Sequence, residues 1–177
     1  MSQVSFENRT VIVTGAGNGL GKAYALDLGS RGAKVVVNDL GGAVDGSGSG
    51  STPADEVVNE IIANGGEAVA NYDSVATKEG GESIVQTAID NFGTVDAVVN
   101  NAGILRDKSF ANMSEEELSL IIDVHLKGTF FVSQPAFKVM KENAYGRIVN
   151  VASPSGLFGN FGQSNYGAAK MGIVGLT

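Results

Sequence analysis

Tyr166 and Lys170 are the residues whose types and spacing most directly indicate chemistry. They lie four residues apart in a segment predicted to be helical from about residue 164, so both side chains project from one helix face. A free phenol is too weak an acid to serve as a base near neutral pH, and a nearby ammonium group stabilises its phenolate form. Ser153, 13 residues upstream, supplies a hydroxyl that could hold a substrate oxygen. Tyrosine and lysine often share this spacing by chance, so the interpretation depends on the rest of the chain.

A glycine-rich turn near the N-terminus indicates a phosphate site. The apolar run Val11-Ile12-Val13 stops at Thr14, and glycines follow at positions 15, 17, 19 and 21 before a segment with helical spacing. A strand, a glycine turn and a helix together aim backbone N–H groups and a helix N-terminus at a phosphate. The candidate contacts in this turn are Gly15, Asn18, Gly19, Leu20 and Gly21.

Asp39 ends the second predicted strand, 18 residues beyond Gly21. An acidic residue about 20 residues after such a turn accepts hydrogen bonds from the adenosine ribose hydroxyls of a dinucleotide. A carboxylate there repels a 2′-phosphate, and no arginine follows in Leu40-Gly41-Gly42, so the pattern favours NAD over NADP. The alternative is that Asp39 is only a turn residue at a strand end.

Polar residues also follow the other predicted strands. Asn100-Asn101-Ala102-Gly103 closes the fourth strand, where asparagine either satisfies the backbone of a turn or contacts a ligand. Ligands of open parallel sheets bind at the carboxyl ends of the strands. The unusual residues that fall at such ends are Gly15, Asp39, Asp73, Asn100 and Ser153.

Short apolar runs alternate with helical patterns along the whole chain, which predicts βαβ units and a parallel sheet. We predict strands near residues 10–14, 34–39, 67–71, 95–100 and 146–152, and helices near 18–31, 53–64, 77–92 and 114–143, with a last helix from about 164. Ser51 and Ser114 are predicted helix caps, the second within a capping box, and Pro135 should kink or break the long helix. The apolar stripes, such as Val57, Val58, Ile61 and Ile62, are interpreted as core.

The segment from Gly41 to Gly50 is the only low-complexity stretch. It is either a flexible surface loop or a lid beside the adenosine half of a cofactor. It contains no lysine or arginine, so it is not expected to form a second phosphate cradle.

Composition narrows the function classes. A net charge of −7 argues against a nucleic-acid partner, and the absence of cysteine together with a single histidine argues against a metal site. No apolar run approaches the length of a membrane span, and the segment Met1–Glu7 has no signal-peptide pattern. We expect one intracellular domain over residues 1–177.

Four motifs together resemble the short-chain dehydrogenase/reductase family in order and spacing: Thr14-Gly15-(x)3-Gly19-Leu20-Gly21, Asn100-Asn101-Ala102-Gly103, Ser153, and Tyr166-(x)3-Lys170. The resemblance covers essentially the whole chain and implies a Rossmann-type doubly wound α/β/α fold with strand order 3-2-1-4-5. Further segments, including Asn38-Asp39-Leu40-Gly41-Gly42 and Gly103-Ile104-Leu105-Arg106-Asp107, resemble the branch of (3R)-hydroxyacyl-CoA dehydrogenase domains of fatty-acid β-oxidation and their bacterial relatives.

The resemblance implies a role for each motif. Tyr166 would be the general acid/base, Lys170 would bind the nicotinamide ribose, and Ser153 would hold the substrate oxygen. The remaining cofactor contacts would come from the segments after the third and fourth strands: Asp73, Ser74, Val75, Asn100, Asn101, Ala102 and Gly103. His125 stands where the family generally has an asparagine of the proton relay, and it is either a packed helix residue or a direct participant.

The family's domain is longer than this chain, about 250 residues, and the chain ends seven residues after Lys170. The last strands and the substrate-covering loop would therefore be missing, which leaves the fifth strand as an exposed apolar edge that promotes association. The resemblance also implies a homodimer or homotetramer.

The sequence thus predicts an NAD-dependent oxidoreductase that interconverts a secondary alcohol and a ketone, at C3 of an acyl-CoA. The alternatives are a 3-oxoacyl-carrier-protein or hydroxysteroid reductase, or a cofactor-binding fragment without turnover. The expected location is the cytoplasm for a bacterial protein and the peroxisome for part of a eukaryotic multifunctional enzyme. No membrane partner is expected.

Overall fold

A single five-stranded parallel sheet forms the centre of the computed structural model, which describes residues 4–177. The order is β3-β2-β1-β4-β5, as predicted. The strands are β1 Thr10–Thr14, β2 Lys34–Asn38, β3 Glu67–Asn71, β4 Ala97–Asn100 and β5 Arg147–Asn150. Residues 1–3, part of the segment examined for a signal peptide, lie outside the described residues.

Seven α-helices accompany the sheet in the part of the chain that the structure describes. They are α1 Gly19–Ser30, α2 Thr52–Ala63, α3 Lys78–Phe92, α4 Glu115–Ile121, α5 Gly128–Glu142, α6 Pro154–Phe158 and α7 Ser164–Leu176. Successive strand residues point to opposite faces, so Ile12 of β1 packs in the core beneath α3 and α5, whereas Val11 and Val13 pack in the core beneath α1 and α2. The predicted three-layer α/β/α architecture is therefore confirmed.

The strands differ in how far they are covered. β1 and β2 are buried almost throughout, as the apolar runs predict for strands covered on both faces. β5 lies at the sheet edge and is only partly covered, with the side chain of Val149 exposed. Among the predicted core positions of α2, Val57 and Ile61 are buried, but Ile62 is 53% exposed, because the apolar stripe is wider than the surface that α2 buries.

The predicted long helix is interrupted upstream of Pro135 rather than at it. Its capping box is present, since Ser114 and Glu117 exchange side-chain-to-backbone hydrogen bonds. A π-helical segment, Ile122–Lys127, separates α4 from α5, and α5 continues through Pro135. Pro135 cannot donate a hydrogen bond to the carbonyl of Phe131, and that carbonyl faces Gly81 of α3.

The other predicted cap, Ser51, makes no side-chain cap hydrogen bond. Its backbone is already helical, with φ −76° and ψ −28°, whereas a capping residue needs an extended backbone to turn its hydroxyl toward the first amides. Thr77 meets that condition before α3 and accepts a hydrogen bond from the amide of Gly80.

Within residues 4–177, no helix has the length and apolar character that a membrane crossing needs.

The contact between α3 and α5 depends on the absence of a side chain at Gly81. A Cβ at this position would lie 2.4 Å from the carbonyl oxygen of Phe131. We predict that Gly81→Ala lowers the free energy of unfolding by about 1–3 kcal/mol, because the two helices must move apart. Urea denaturation followed by circular dichroism measures the change.

Gly175→Ala is the matched control, because an added Cβ at this helical position meets no atom within 4 Å. It should change stability by no more than about 1 kcal/mol, in the stabilising direction. Equal destabilisation by the two variants would contradict the packing described for Gly81.

Candidate functional site

A cleft of about 380 Å³ opens at the carboxyl ends of β1 to β4. Its walls come from the glycine turn after β1, the segment after β2, the segments after β3 and β4, and the region of the π-helical turn. The lining residues are Gly15, Asn18, Gly19, Asn38, Asp39, Leu40, Gly42, Ala43, Val44, Gly46, Asp73, Ser74, Val75, Ala76, Asn101, Ala102, Gly103, Ile104, Leu120 and Val124.

The glycines of the turn have different structural roles. Gly15 and Gly19 adopt left-handed backbones, with φ +62° and +54°, and an added Cβ at Gly19 would meet no atom within 4 Å. A Cβ at Gly21 would lie 2.0 Å from the carbonyl oxygen of Gly15, so Gly21 lets α1 pack close to the turn. Leu20 is 62% exposed and does not line the cleft. The turn therefore offers open space beside Gly19, whereas Gly21 serves packing.

Asp39 connects the glycine turn to the segment after β2. One carboxylate oxygen accepts a hydrogen bond from the amide of Gly17 and the other from the amide of Gly41, both at 2.7 Å. A Cβ at Gly17 would lie 2.8 Å from the Asp39 carboxyl group. Because each carboxylate oxygen has a second lone pair, Asp39 keeps acceptor capacity toward the cleft.

The segment from Gly41 to Gly50 forms one wall of the cleft. The amide of Leu105 donates to the carbonyl of Val44 at 3.0 Å, and the amide of Gly50 donates to the carbonyl of Leu40. A Cβ at Gly46 would lie 2.9 Å from the side chain of Ile104. These contacts favour the lid interpretation of the segment over that of a free surface loop.

The asparagines at the end of β4 point in different directions. The side chain of Asn101 donates to the carbonyls of Thr14 and Gly15, which fixes the segment after β4 to the glycine turn. The side chain of Asn100 instead donates to Ser133 of α5 and to Asn150 of β5, and it does not line the cleft. The side chain of Asn100 is therefore directed away from the cleft.

Tyr166 and Lys170 form a cluster with His125, although none of the three lines the 380 Å³ cleft. The ammonium of Lys170 lies 5.5 Å from the centroid of the Tyr166 ring and donates to the carbonyl of Val151 at 2.6 Å. The His125 ring meets the Tyr166 ring edge to face, with the centroids 5.1 Å apart. Helix α7 and the π-helical turn thus bring all three side chains together.

Burial lowers the pKa values of the two basic groups in this cluster. It lowers the pKa of Lys170 from 10.5 to about 8. Burial, followed by the repulsion of the Lys170 charge, lowers the pKa of His125 from 6.5 to about 4. At neutral pH the cluster therefore contains a neutral imidazole beside an ammonium group.

His125 binds backbone rather than a neighbouring reactive side chain. Its Nε2 lies 3.1 Å from the amide nitrogen and 2.8 Å from the carbonyl oxygen of Ile104, and a Cβ at Gly103 would lie 2.4 Å from the ring. Nδ1 is buried and has no hydrogen-bond partner within residues 4–177. These contacts favour a packed histidine that fixes the segment after β4.

Ser153 lies at the N-terminus of α6, two residues after the carbonyl that Lys170 binds. Its hydroxyl accepts a hydrogen bond from the amide of Ser155 at 3.2 Å. Helix α6 packs directly on α7, since a Cβ at Gly156 would lie 2.8 Å from the amide nitrogen of Met171. The same added Cβ would lie 3.1 Å from Cβ of Lys170, so the helix that Ser153 precedes lies against α7 at Lys170.

Sequence reasoning missed Asn165, which precedes the tyrosine. Asn165 is buried, and its side-chain nitrogen donates to the carbonyls of Arg106 and Glu117. Its side-chain oxygen accepts from the backbone amide of Tyr166. It thereby fixes the start of α7 to α4 and to the segment after β4. An asparagine beside a candidate catalytic residue was the only signal, and asparagine at a helix start is usually an ordinary cap.

The cleft has the features that the phosphate and adenosine parts of a dinucleotide require. Gly19 opens a 12-residue helix and has free space above it. Asp39 offers acceptors, and the segment from Asp73 to Ala76 supplies a further wall. The fold and these residues therefore fit a nucleotide cofactor of the NAD(P) type.

Comparison with known proteins agrees with this geometry. The family model "short chain dehydrogenase" matches residues 9–177. The chain is 61% identical over 173 residues to the peroxisomal hydratase-dehydrogenase-epimerase of Saccharomyces cerevisiae, covering 98% of this chain and 19% of that protein. It is 58% identical over 175 residues to mouse peroxisomal multifunctional enzyme type 2, covering 99% of this chain and 23% of that protein.

A crystal structure of a short chain dehydrogenase from Mycobacterium avium superposes with a TM-score of 0.90 at 48% identity, covering 98% of this chain and 62% of the other. The chain therefore spans about one fifth of the length of the two peroxisomal relatives and under two thirds of the bacterial one. The predicted family resemblance and fold are confirmed.

The depressed pKa of His125 makes stability depend on pH. The folded-state pKa of about 4 lies below the ordinary value of 6.5, so the unfolded chain binds more protons between these two values. Stability therefore falls as pH decreases through this window. We predict that His125 costs the wild-type protein about 2 kcal/mol of unfolding free energy on going from pH 7 to pH 5.

His125→Asn should lose this dependence, because asparagine does not titrate. Urea denaturation of both proteins at pH 7, 6 and 5 isolates the contribution of His125 to the pH dependence of stability. Carboxylates that titrate in this pH range are common to both proteins, so their effect cancels in the difference. A constant stability difference across the three pH values would show that His125 is not buried in the neutral form.

Proposed function

The chain belongs to the short chain dehydrogenase family, and we propose that it carries the catalytic centre of an NAD-dependent enzyme that interconverts a secondary alcohol and a ketone. The observation that carries the proposal is the cluster of Tyr166, Lys170 and His125 beside a cleft that fits a dinucleotide. The cleft would hold the cofactor, and the cluster would hold the reacting oxygen.

Tyr166, Lys170 and Ser153 have distinct tasks in this proposal. Tyr166 removes the hydroxyl proton of the alcohol during oxidation and returns it during reduction. The ammonium of Lys170, held by the carbonyl of Val151, stabilises the phenolate that this step requires. Ser153 donates a hydrogen bond to the substrate oxygen. When bound, NAD⁺ supplies the nicotinamide ring that accepts the hydride leaving the alcohol carbon.

The substrate is proposed to be a (3R)-hydroxyacyl-CoA, which is oxidised to the 3-ketoacyl-CoA. Support comes from the 58–61% identity to two peroxisomal multifunctional proteins over nearly all of this chain. A eukaryotic parent would then lie in the peroxisome and a bacterial one in the cytoplasm. A 3-oxoacyl-carrier-protein reductase remains the second candidate, because such an enzyme of Synechocystis is 44% identical over 169 residues.

A homodimer or homotetramer is part of the proposal. Large apolar side chains stand exposed on α5 and α7, namely Phe130, Phe137, Met171 and Val174. Exposed apolar groups of this kind favour association between subunits. Light scattering on the full-length natural protein should give at least the mass of a dimer, and a monomeric mass would contradict this part of the proposal.

Tyr166→Phe tests the catalytic assignment. Removing the hydroxyl leaves the ring and its contact with His125 in place but eliminates proton transfer. We predict that kcat of the full-length natural protein falls by about 10²–10⁴-fold, whereas NAD affinity changes by less than about threefold. Steady-state rates and isothermal titration calorimetry provide the two measurements.

Tyr24→Phe, at a partly buried tyrosine of α1 outside the cluster, is the matched control and should leave kcat unchanged. Full turnover in Tyr166→Phe would overturn the assignment. NAD binding by the wild-type protein with no turnover of any hydroxyacyl substrate would instead favour a cofactor-binding chain without catalysis.

Asp39→Asn tests the cofactor preference. The carboxylate repels a 2′-phosphate, and placing two like charges side by side costs several kcal/mol of binding free energy. Each 1.4 kcal/mol corresponds to about a tenfold change in affinity. We predict that the wild-type protein prefers NADH to NADPH by about 100-fold or more, and that Asp39→Asn reduces this ratio by about tenfold. Equal use of both cofactors by the wild-type protein would contradict the assignment to NAD.

A further inference from the structure

We propose that Gln163 and Asn165 are positioning residues that hold Ser153 and Tyr166 in the arrangement that the reaction requires. The inference rests on the proposed function and extends it to two carboxamide side chains just before the proposed catalytic tyrosine. Both side chains bind the connector, by which we mean residues 103–108, the segment that runs from the cleft toward the start of α7.

The first half of the connector is fixed to the walls of the cleft. Ile104 lines the cleft, and its amide and carbonyl lie 3.1 and 2.8 Å from Nε2 of His125. The amide of Leu105 donates to the carbonyl of Val44, on the opposite wall, at 3.0 Å. Neither of the two carboxamides contributes to these contacts, so this half is held independently of them.

Asn165 binds the second half of the connector. Its side-chain nitrogen donates to the carbonyl of Arg106 at 3.0 Å and to the carbonyl of Glu117, in α4, at 3.1 Å. Its side-chain oxygen accepts at 2.7 Å from the amide of Tyr166, one of the first amides of α7, which have no carbonyl partner within the helix. Asn165 is only 1% exposed, so these bonds are shielded from water. The backbone of Tyr166 is thus held by the carboxamide that binds the connector.

Gln163 connects the next residue of the connector to the segment that carries Ser153. Its side-chain nitrogen donates to the carboxylate of Asp107 at 2.9 Å. Its side-chain oxygen accepts from the hydroxyl of Ser155 and from the side chain of Asn160, both at 2.9 Å. The amide of Ser155 in turn donates to the hydroxyl of Ser153 at 3.2 Å. Gln163 therefore holds the turn that presents the hydroxyl assigned to the substrate oxygen.

The spacing of Ser153 and Tyr166 decides the rate, because under the proposed function both must reach the same substrate oxygen. A misplacement of about 1 Å can cost about 100-fold in rate. Loss of a carboxamide contact frees one of these groups relative to the connector, whereas the walls of the cleft stay in place. We therefore expect variants at the two positions to lower kcat while the affinity for NAD is kept.

Gln163→Glu keeps the shape of the side chain but sets a carboxylate oxygen against Asp107 in place of a donor. In the full-length natural protein supplied with a 3-hydroxyacyl-CoA, kcat should fall by about 10–100-fold. The dissociation constant of NAD, measured by titration calorimetry, should change by less than about threefold. Gln86→Glu is the matched control, because exposed Gln86 donates to the Asp90 carboxylate of the same helix at 2.7 Å. It should leave both quantities unchanged.

Adding Asp107→Asn to Gln163→Glu exchanges donor and acceptor within the same hydrogen bond and restores the net charge of the wild-type protein. The double variant should recover kcat to within about fivefold of wild type. General damage to the fold by Gln163→Glu would not be repaired by a second substitution. Recovery therefore reports the contact itself.

Asn165→Asp removes both donors to the connector and to α4 but keeps an acceptor for the Tyr166 amide. Its kcat should fall by at least about tenfold, measured at the plateau of the pH profile so that a changed phenol pKa does not contribute. Asn91→Asp is the control, because exposed Asn91 donates only to the carbonyl of Thr87 within α3. Its kcat should equal that of wild type.

Unchanged kcat in Gln163→Glu or Asn165→Asp would overturn the inference. So would a double variant as slow as Gln163→Glu, a loss of NAD affinity that parallels the loss of kcat, or an equal fall in the control variants. Absence of turnover in the wild-type protein would instead overturn the proposed function, and this inference with it.

Discussion

Hydrogen bonding at the carboxyl end of the sheet is the constraint on which the rest of the structure depends. All five strands end in a residue with a short polar side chain: Thr14, Asn38, Asn71, Asn100 and Asn150. Where parallel strands stop, backbone groups lose their ladder partners and must be satisfied by other means. Asparagine supplies both donors and an acceptor. Its side chain can therefore bind the backbone of the segments that leave the sheet and fix their positions. These segments form the walls of the cleft.

The second feature is a buried ammonium group that donates to a backbone carbonyl. Lys170 is 3% exposed and is held by one backbone carbonyl beside an uncharged imidazole. Burying a charge without a counter-ion costs stability, and its pKa of about 8 reflects that cost. A carboxylate partner would lower the cost, but it would also neutralise the positive charge that the proposed mechanism requires beside Tyr166. Under the proposed function, the arrangement gives up some stability for reactivity, as functional sites often do.

The sequence predicted the features that follow from local pattern. The glycine turn and the cap at Ser114 each depend on periodicity or on a backbone requirement that few residue types meet. The strand order instead follows from the family resemblance, because periodicity does not say which strands are neighbours. The π-helical turn was not predicted, because a one-residue widening of a helix leaves the apolar periodicity almost unchanged. Asn100 and Leu20 were assigned to the cofactor from their motif, whereas their orientation depends on which sheet face or helix side they occupy. The roles of Gln163 and Asn165 depend on partners distant in sequence, which pattern alone does not reveal.

The central claim is that Tyr166 and the cleft act together in the oxidation of an alcohol by NAD. The most direct measurement is the rate of NADH formation by the full-length natural protein supplied with NAD⁺ and either the (3R) or the (3S) form of a 3-hydroxyacyl-CoA. We expect NADH formation with the (3R) form, little with the (3S) form, and little reduction of NADP⁺ with either. Absence of NADH formation with both forms, despite binding of NAD⁺, would contradict it.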